Sequence, residues 1–459
     1  MASGNDHPVE GNGYGCCECQ RWEWMKGLPI RIGEKPVAVG KKMKKLGQDD
    51  PRRIIHSVKV GVAITLVSLL YYFEPLFAGF GASAMWAVLT VVVVFEFYVG
   101  ATLGKGLNRG LATLVAGALG VFAHELASLS GKSCKPVLLG LFVFLLAASV
   151  TFLRFYPRLK ARYDYGLLVF ILTFSMISVS GYRDEEVLGM AHQRLSTILI
   201  GGATAVIVCI LICPVWAGND LHNSVASNLE KLGSFLEGYG VECFKVPTDG
   251  DTVDQKTAFQ EYKSVLNSKN TEESLVNFAK WEPPHGKFRF RHPWKQYLKI
   301  GTLTRQCAYR IEALTGYLNA EFQAPLEIQR KIQESCTEMS SESGKVLKEL
   351  ASAIKTMTQP SCTNPHIANS RTAAKTLKSS LKTSLYVWED TNILELIPMA
   401  TVASLLIDIV SCTEKISEAV HELASHAHFK TADPPTETNS GMDGIHHVIK
   451  IDGSSTCIE

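Results

Sequence analysis

Six long apolar runs follow one another along the first half of the chain, separated by short polar stretches. A helix rises about 1.5 Å per residue, so about 20 mostly apolar residues are needed to cross the roughly 30 Å of hydrocarbon in a bilayer. One such run is also typical of a signal peptide or a buried core helix, but six in close succession are not. We therefore predict six membrane-spanning helices, at His56–Phe73, Leu76–Phe97, Leu103–Leu129, Val137–Phe155, Tyr165–Gly181 and Leu188–Val215.

The pattern changes after Asp220, where apolar residues recur every three or four positions among polar ones. This spacing predicts amphipathic helices of a soluble domain rather than further membrane spans. The predicted fold is therefore all-α, with six transmembrane helices per subunit followed by a cytosolic helical domain. The predicted segments are an N-terminal cytosolic segment, a transmembrane pore domain, the cytosolic helical domain and a C-terminal tail, at residues 1–55, 56–216, 217–430 and 431–459.

Basic residues outside the apolar runs set the predicted orientation. They cluster just before the first run, at Lys41, Lys42, Lys44, Lys45, Arg52 and Arg53. Because loops rich in Lys and Arg stay on the cytosolic side, the N-terminus is predicted to be cytosolic, and an even number of spans returns the C-terminus there. The second and fourth loops are basic, as this orientation requires, whereas Lys132 and Lys135 make the third loop an exception.

Charge separates the two halves of the chain. Residues 1–216 contain 21 Lys and Arg against 14 Asp and Glu, a net charge of +7, and residues 217–459 contain 25 against 30, a net of −5. The 12 cysteines form no regular framework, which is typical of a reducing cytosol. Since no catalytic set, metal-ligand spacing or phosphate-binding loop stands out, we predict no enzyme activity, cofactor, metal or nucleic-acid partner.

Basic side chains within the apolar runs are the candidate functional residues. An ionised side chain at the bilayer centre costs at least ~2.5 kcal/mol, so such residues usually face a wet cavity or another helix. Lys105 and Arg109 are four residues apart and share one helix face, while Arg194 lies well inside the sixth run. Lys and Arg side chains along a wet path make a pore favour anions. The predicted pore residues are Lys105, Arg109, Arg194, Lys59 and Arg183.

Several of these side chains also have a purely structural interpretation. Long basic side chains near helix ends extend to the lipid headgroups, and this alternative stands beside the pore for Lys59 and Arg183. Trp86 and Phe95 are candidate gate residues, because hydrophobic constrictions close pores by dewetting. Aromatic residues in membrane spans more often pack or anchor at the interface, so the same two residues also fit a structural role.

Acidic residues in the same region leave two transport mechanisms open. Glu74, Glu96 and Glu125 are candidate ion-pair partners of the arginines, which is the arrangement an anion channel would have. With His124 they would instead act as proton relays in a coupled organic-anion carrier. A receptor or scaffold would need neither a pore nor a relay.

Four sequence motifs resemble those of the plant aluminium-activated malate transporter family. They are the segments Met85–Glu96, Thr102–Arg109, Pro214–Gly218 and Trp281–Phe288. The resemblance covers nearly the whole chain and implies a homodimer with six spans per subunit and a cytosolic helical domain. It also implies an anion channel that passes malate, sulfate, nitrate or chloride through a pore lined by basic residues.

The cysteine-rich start, with Cys16, Cys17 and Cys19, is most similar to the guard-cell branch of this family. That branch consists of rapid, voltage-dependent channels of the plasma membrane, although members in the vacuolar membrane share the four motifs. The resemblance to it implies release of malate and other anions during stomatal closure, without activation by aluminium.

A run of hydroxyl and basic residues in the soluble half predicts regulation by a protein kinase. Each phosphate would add about −1.5 to −2 charges beside several bases, enough to form new ion pairs or to loosen a helix end. A solvated linker without a regulatory role fits the same composition. The hydroxyl residues are Ser361, Thr363, Ser370, Thr372, Thr376, Ser379, Ser380, Thr383 and Ser384.

Overall fold

The computed structural model describes residues 40–72, 85–131, 133–180, 187–242, 260–317, 326–360, 363–387 and 393–431. These ranges are helical, with isolated bridges in place of strands, which confirms the predicted all-α class. After a helical stretch at residues 40–49, the helices are α1 (Arg52–Tyr72), α2 (Met85–Val94), α3 (Val99–Leu129), α4 (Lys135–Leu153), α5 (Pro157–Ser180), α6 (Val187–Leu211), α7 (Ala217–Glu242), α8 (Lys263–Leu266), α9 (Lys269–Ala279), α10 (Trp294–Thr315), α11 (Leu326–Thr356), α12 (Thr363–Val387) and α13 (Ile393–His426).

Five of the described helices are long and apolar enough to cross a membrane. Four of them, within α3, α4, α5 and α6, coincide with the predicted third to sixth spans. α1 covers the first predicted span but is not among the five, and α2 is a shorter apolar helix. Much of the second predicted span, at residues 76–84, lies outside the described residues. A membrane protein with several apolar helices is therefore confirmed, and the count of six spans stays a prediction.

The fifth such helix, Ile397–His426 in α13, falls in the half predicted to be soluble. It packs against α10, α11 and α12, burying one side with residues such as Val402, Leu406 and Ile409. Its polar side carries acidic residues, of which Glu414 pairs with Arg371 at 2.9 Å. Its apolar composition is thus explained by a central place in a helical bundle.

The chain forms two compact units, and neither is continuous in sequence. The first contains Met1–Leu221 together with Glu273–Arg291, and the second contains His222–Glu272 together with His292–Glu459. The division into a membrane domain at residues 56–216 and a cytosolic domain at residues 217–430 stays a prediction. The segment Glu273–Arg291 packs with the first unit.

In the first unit, α3 packs against α5 and α6, and α6 also packs against α1 and α2. Small residues allow close approach of the backbones, as expected for helices in lipid. A Cβ atom built on Gly201 would lie 2.5 Å from the carbonyl oxygen of Ala87, and one on Gly120 would lie 2.9 Å from Ile177 Cγ2. Large apolar side chains, for example Leu111 and Phe144, are exposed on the outer surface of this unit, which suits contact with lipid.

The second unit is a bundle in which α11 contacts α12 and α13, and α10 contacts α8 and α13. Its core includes a buried ion pair between Glu272 and Arg305, whose side chains are 1% and 10% exposed. Asn228 donates a second hydrogen bond to the Glu272 carboxylate at 3.3 Å. Gly301 leaves room for this pair, because a Cβ atom there would displace the Glu272 carboxylate from its position.

Candidate anion pathway

Arg109 lies on the buried face of α3, one helical turn after Lys105. Residues Thr102, Thr113 and Gly120 share this face and are also buried. The Arg109 side chain is 5% exposed, and its Nη1 atom donates to the Tyr165 hydroxyl of α5 at 2.7 Å. Its Nε atom has no hydrogen-bond partner within the part of the chain that the structure describes.

Arg194 lies inside the bundle on α6 and is only 4% exposed. Its Cζ atom is 4.0 Å from the centre of the Trp86 ring on α2, a cation–π geometry worth about 2 kcal/mol where water is excluded. Two of its donor atoms, Nε and Nη1, have no hydrogen-bond partner among the described residues. Trp86, predicted as a gate residue, is therefore the aromatic platform of this guanidinium group.

The two guanidinium groups lie in one region of the bundle. Arg109 and Arg194 are carried by α3 and α6, which pack against each other, and a Cβ atom built on Gly110 of α3 would lie 3.9 Å from Leu199 Cδ2 of α6. Neither arginine has a carboxylate within ion-pair distance in the described ranges. A buried charge without a counter-ion costs several kcal/mol. An anion bound at either guanidinium group would offset that cost.

Lys59 and Lys105 extend the set of basic side chains. Lys59 on α1 is completely buried, and its Nζ atom has no hydrogen-bond partner among the residues described. Lys105 is more exposed and pairs with Glu96, so this acidic residue is held by a lysine rather than by an arginine. The Lys105 ammonium group also lies 5.9 Å from the centre of the Tyr165 ring. Tyr165 therefore connects Lys105 with Arg109.

The other predicted site residues lie elsewhere. Glu74 and Arg183 are outside the described residues. His124 lies near the opposite end of α3, where its Nε2 atom is 3.2 Å from Lys135 Nζ, and Glu125 is exposed beside it. Phe95 belongs to the apolar core between α1, α2 and α6.

The motif Trp281–Phe288 is built into the first unit. The Glu282 carboxylate accepts hydrogen bonds from the backbone N–H groups of Ala217, at 2.6 Å, and Gly218, at 3.0 Å, where α7 begins. Burial raises the pKa of Glu282, although these N–H groups oppose the shift. His285 stacks on Trp216 with ring centres 3.9 Å apart. These contacts join two of the four motifs that carry the family resemblance.

No group of three potential metal-binding side chains occurs among the described residues. The buried side-chain donors of this unit instead include the guanidinium groups of Arg109 and Arg194 and the ammonium group of Lys59. Cationic donors of this kind attract anions and repel cations.

Comparison with known proteins decides the family. The sequence model of the family described as aluminium activated malate transporter matches residues 44–392 and 383–424. The chain belongs to the aluminium-activated malate transporter family. Membership confirms the resemblance seen in the motifs and places the protein among transporters rather than enzymes.

Curated members of the aluminium-activated malate transporter family are similar over most of their length. Aluminum-activated malate transporter 2 of Arabidopsis thaliana is 55% identical over 414 residues, which cover 90% of this chain and 82% of that protein. Transporter 1 of the same plant is 51% identical over 426 residues, covering 89% and 86%. Transporter 1 of Triticum aestivum is 47% identical over 418 residues, covering 89% and 90%.

Proposed function

We propose that the protein is an anion channel that conducts malate and inorganic anions, namely chloride, nitrate and sulfate, across a plant cell membrane. The observation that carries this proposal is the burial of Arg109 and Arg194 on two helices that pack together, with donor atoms of both lacking a hydrogen-bond partner among the described residues. The names of the similar plant proteins support malate as a transported anion. Lys59 and Arg183 are proposed to extend the same path.

The finer parts of the proposal rest on the family resemblance and on the distribution of basic residues. The protein would be a homodimer with six spans per subunit and with both termini in the cytosol. It would lie in the plasma membrane, with the vacuolar membrane as the alternative, and open in a voltage-dependent manner. In guard cells it would release malate and other anions during stomatal closure.

A coupled organic-anion carrier is the competing mechanism. It would use membrane carboxylates and His124 as proton relays. In the structure Glu96 is paired with Lys105, and His124 contacts Lys135 at the far end of the same helix. Those two sites are separated by most of the length of α3, whereas both arginines are buried on helices that pack against each other. This arrangement supports the channel.

Electrical recording separates the two mechanisms. In excised patches with malate on either side, we expect unitary currents far above the turnover of a carrier, and a reversal potential that follows the anion gradient at any pH. Patches from cells expressing no protein provide the baseline. Currents without resolvable openings, whose reversal potential shifts with the proton gradient, would support the carrier and contradict the channel.

Kinase regulation is proposed for the exposed face of α12. Thr363 and Ser370 are buried and Ser380 is half-buried, whereas Thr372, Thr376 and Ser379 are exposed among lysines, where a kinase can reach them. Ser361 and the side chains of Thr383 and Ser384 lie outside the described part of the structure.

We expect alanine at Thr372, Thr376 and Ser379 together to abolish the change in current caused by a co-expressed active kinase. Phosphates at these positions would add negative charge beside Lys375 and Lys378. The matched control, alanine at Thr363 and Ser370, should leave the kinase response intact. An unchanged response in the triple variant would place the switch outside this face.

A further inference from the structure

The stretch Pro283–Ile311 is rich in positive charge, with seven Lys and Arg residues and no Asp or Glu. Of the four basic residues that lie in the second unit, three pair with carboxylates there, namely Lys299, Arg305 and Arg310. The other three basic residues belong to the first unit, are exposed, and form no ion pair within the described ranges: Lys287, Arg289 and Arg291. These three cations are therefore available to a negatively charged partner outside the chain.

An aromatic side chain lies among these three cations. Phe290 is 74% exposed, and the Cζ atom of Arg291 is 5.6 Å from the centre of its ring, a cation–π contact. Arg291 also has a φ of 63°, a left-handed conformation that residues other than glycine rarely adopt and that is common at binding sites. Exposed rings combined with Lys and Arg are typical of segments that bind a membrane surface.

The segment that carries Phe290 is attached to the membrane unit just after the last span. α6 ends at Leu211, and Trp216, five residues later, stacks on His285 with ring centres 3.9 Å apart. His285 and Phe288 exchange two backbone hydrogen bonds of 3.2 and 2.9 Å, which form a tight turn. Because an extended chain spans at most 3.6 Å per residue, the Cα atom of Phe290 lies within about 18 Å of that of His285. The ring is thus held close to the end of the span.

We propose that the segment Lys287–Arg291 is a lipid anchor, in which the Phe290 ring enters the membrane interface and the three cations bind acidic phospholipids. The predicted orientation places this end of the first unit on the cytosolic side, where the leaflet carries acidic phospholipids. A lipid suits the segment better than a soluble anion does, because only a lipid also removes the exposed ring from water. The inference requires a membrane protein and is independent of the anion that the protein transports.

Fluorescence quenching of an indole at the position of the ring tests this proposal. Full-length Phe290→Trp protein is reconstituted into vesicles of equal parts phosphatidylcholine and phosphatidylserine, with bromine on the acyl chains of one lipid or the other. The signal is the difference from the unsubstituted protein, which has seven tryptophans of its own. We expect quenching to report a preference for phosphatidylserine of at least about tenfold, since each Lys or Arg near an acidic surface contributes a factor of about five.

Two further variants, each on the Phe290→Trp background, separate charge from structure. Lys287→Gln with Arg289→Gln and Arg291→Gln should bring the preference close to one. Lys287→Arg with Arg289→Lys and Arg291→Lys keeps the charges and should retain the preference, which distinguishes a lost site from a damaged fold. Raised salt should weaken the preference of the Phe290→Trp protein without any other substitution, because salt screens charges at the surface.

The matched control removes three charges elsewhere. Lys41→Gln with Lys42→Gln and Lys44→Gln, on the same Phe290→Trp background, changes exposed positions of the helical stretch 40–49 and should keep the preference. An equal loss in this control would overturn the proposal, because the charge effect would not be local. Equal quenching by the two lipids would overturn the recognition of acidic phospholipids. Absence of quenching by either lipid would overturn the anchor itself and leave the three cations to a soluble acidic partner.

Discussion

Replacing either buried arginine by a neutral residue, in Arg109→Gln or Arg194→Gln, is expected to reduce the malate current at least about tenfold. Each guanidinium group lowers the electrostatic barrier that an anion meets in the bundle, and a tenfold change needs only about 1.4 kcal/mol. At an effective dielectric constant of 20, one unit charge contributes about 4 kcal/mol to the energy of an anion 4 Å away. A loss of about 1.4 kcal/mol is therefore well within what one guanidinium group can contribute. Whole-cell currents normalised to surface protein provide the measurement.

Two further variants give this prediction its controls. Arg53→Gln removes an arginine that is 54% exposed, and it should leave the current near its wild-type value. Arg194→Lys keeps a cation above Trp86 and should retain more current than Arg194→Gln. Normal conductance and selectivity in both glutamine variants would assign the arginines a structural role instead.

The second large effect is expected in the other unit, from Glu272→Gln. This change leaves Arg305 as a buried cation without its carboxylate, which typically costs about 3–5 kcal/mol. In a unit of this size, we expect the midpoint of thermal unfolding to fall by about 6–20 °C. Intrinsic fluorescence of the purified full-length protein follows the transition.

Glu422→Gln is the matched control for this stability prediction. Glu422 pairs with Lys299, but the two side chains are 39% and 53% exposed. Exposed pairs contribute about 0–1 kcal/mol, so the midpoint should move by no more than about 4 °C. Equal shifts in the two variants would contradict the prediction, because they would show that burial of the Glu272–Arg305 pair does not increase its contribution to stability.

Most spanning helices of the membrane unit could be predicted from sequence, because the thickness of the bilayer sets the length and the apolar composition that such a helix needs. The predicted third to sixth spans coincide with four helices that are long and apolar enough to cross a membrane. The same criterion also selects Ile397–His426, whose apolar side is buried against other helices of its bundle. Length and hydropathy do not distinguish lipid from protein as the surroundings of an apolar helix.

The candidate site was only partly predictable. The positions of Arg109 and Arg194 inside apolar runs already indicated burial, because exposure of a charge to lipid is costly. Their aromatic partners were not identified as such, since Trp86 and Tyr165 look like ordinary packing or interface residues in a linear sequence. The contact of Glu282 with Ala217 joins residues 65 positions apart, and no local pattern signals it.

The discontinuous first unit has a consequence for how the protein is made. Its last helical span ends at Leu211, but the segment Glu273–Arg291 that completes the unit leaves the ribosome much later. At about 5–20 residues per second, the roughly 70 residues between Leu221 and Arg291 take about 4–14 s to synthesise. During that interval the nascent chain lacks Glu282, and the first N–H groups of α7 lack the carboxylate that later binds them. The last helical span is therefore synthesised well before the segment that completes its unit, and a chain cut directly after that span would lack this segment altogether.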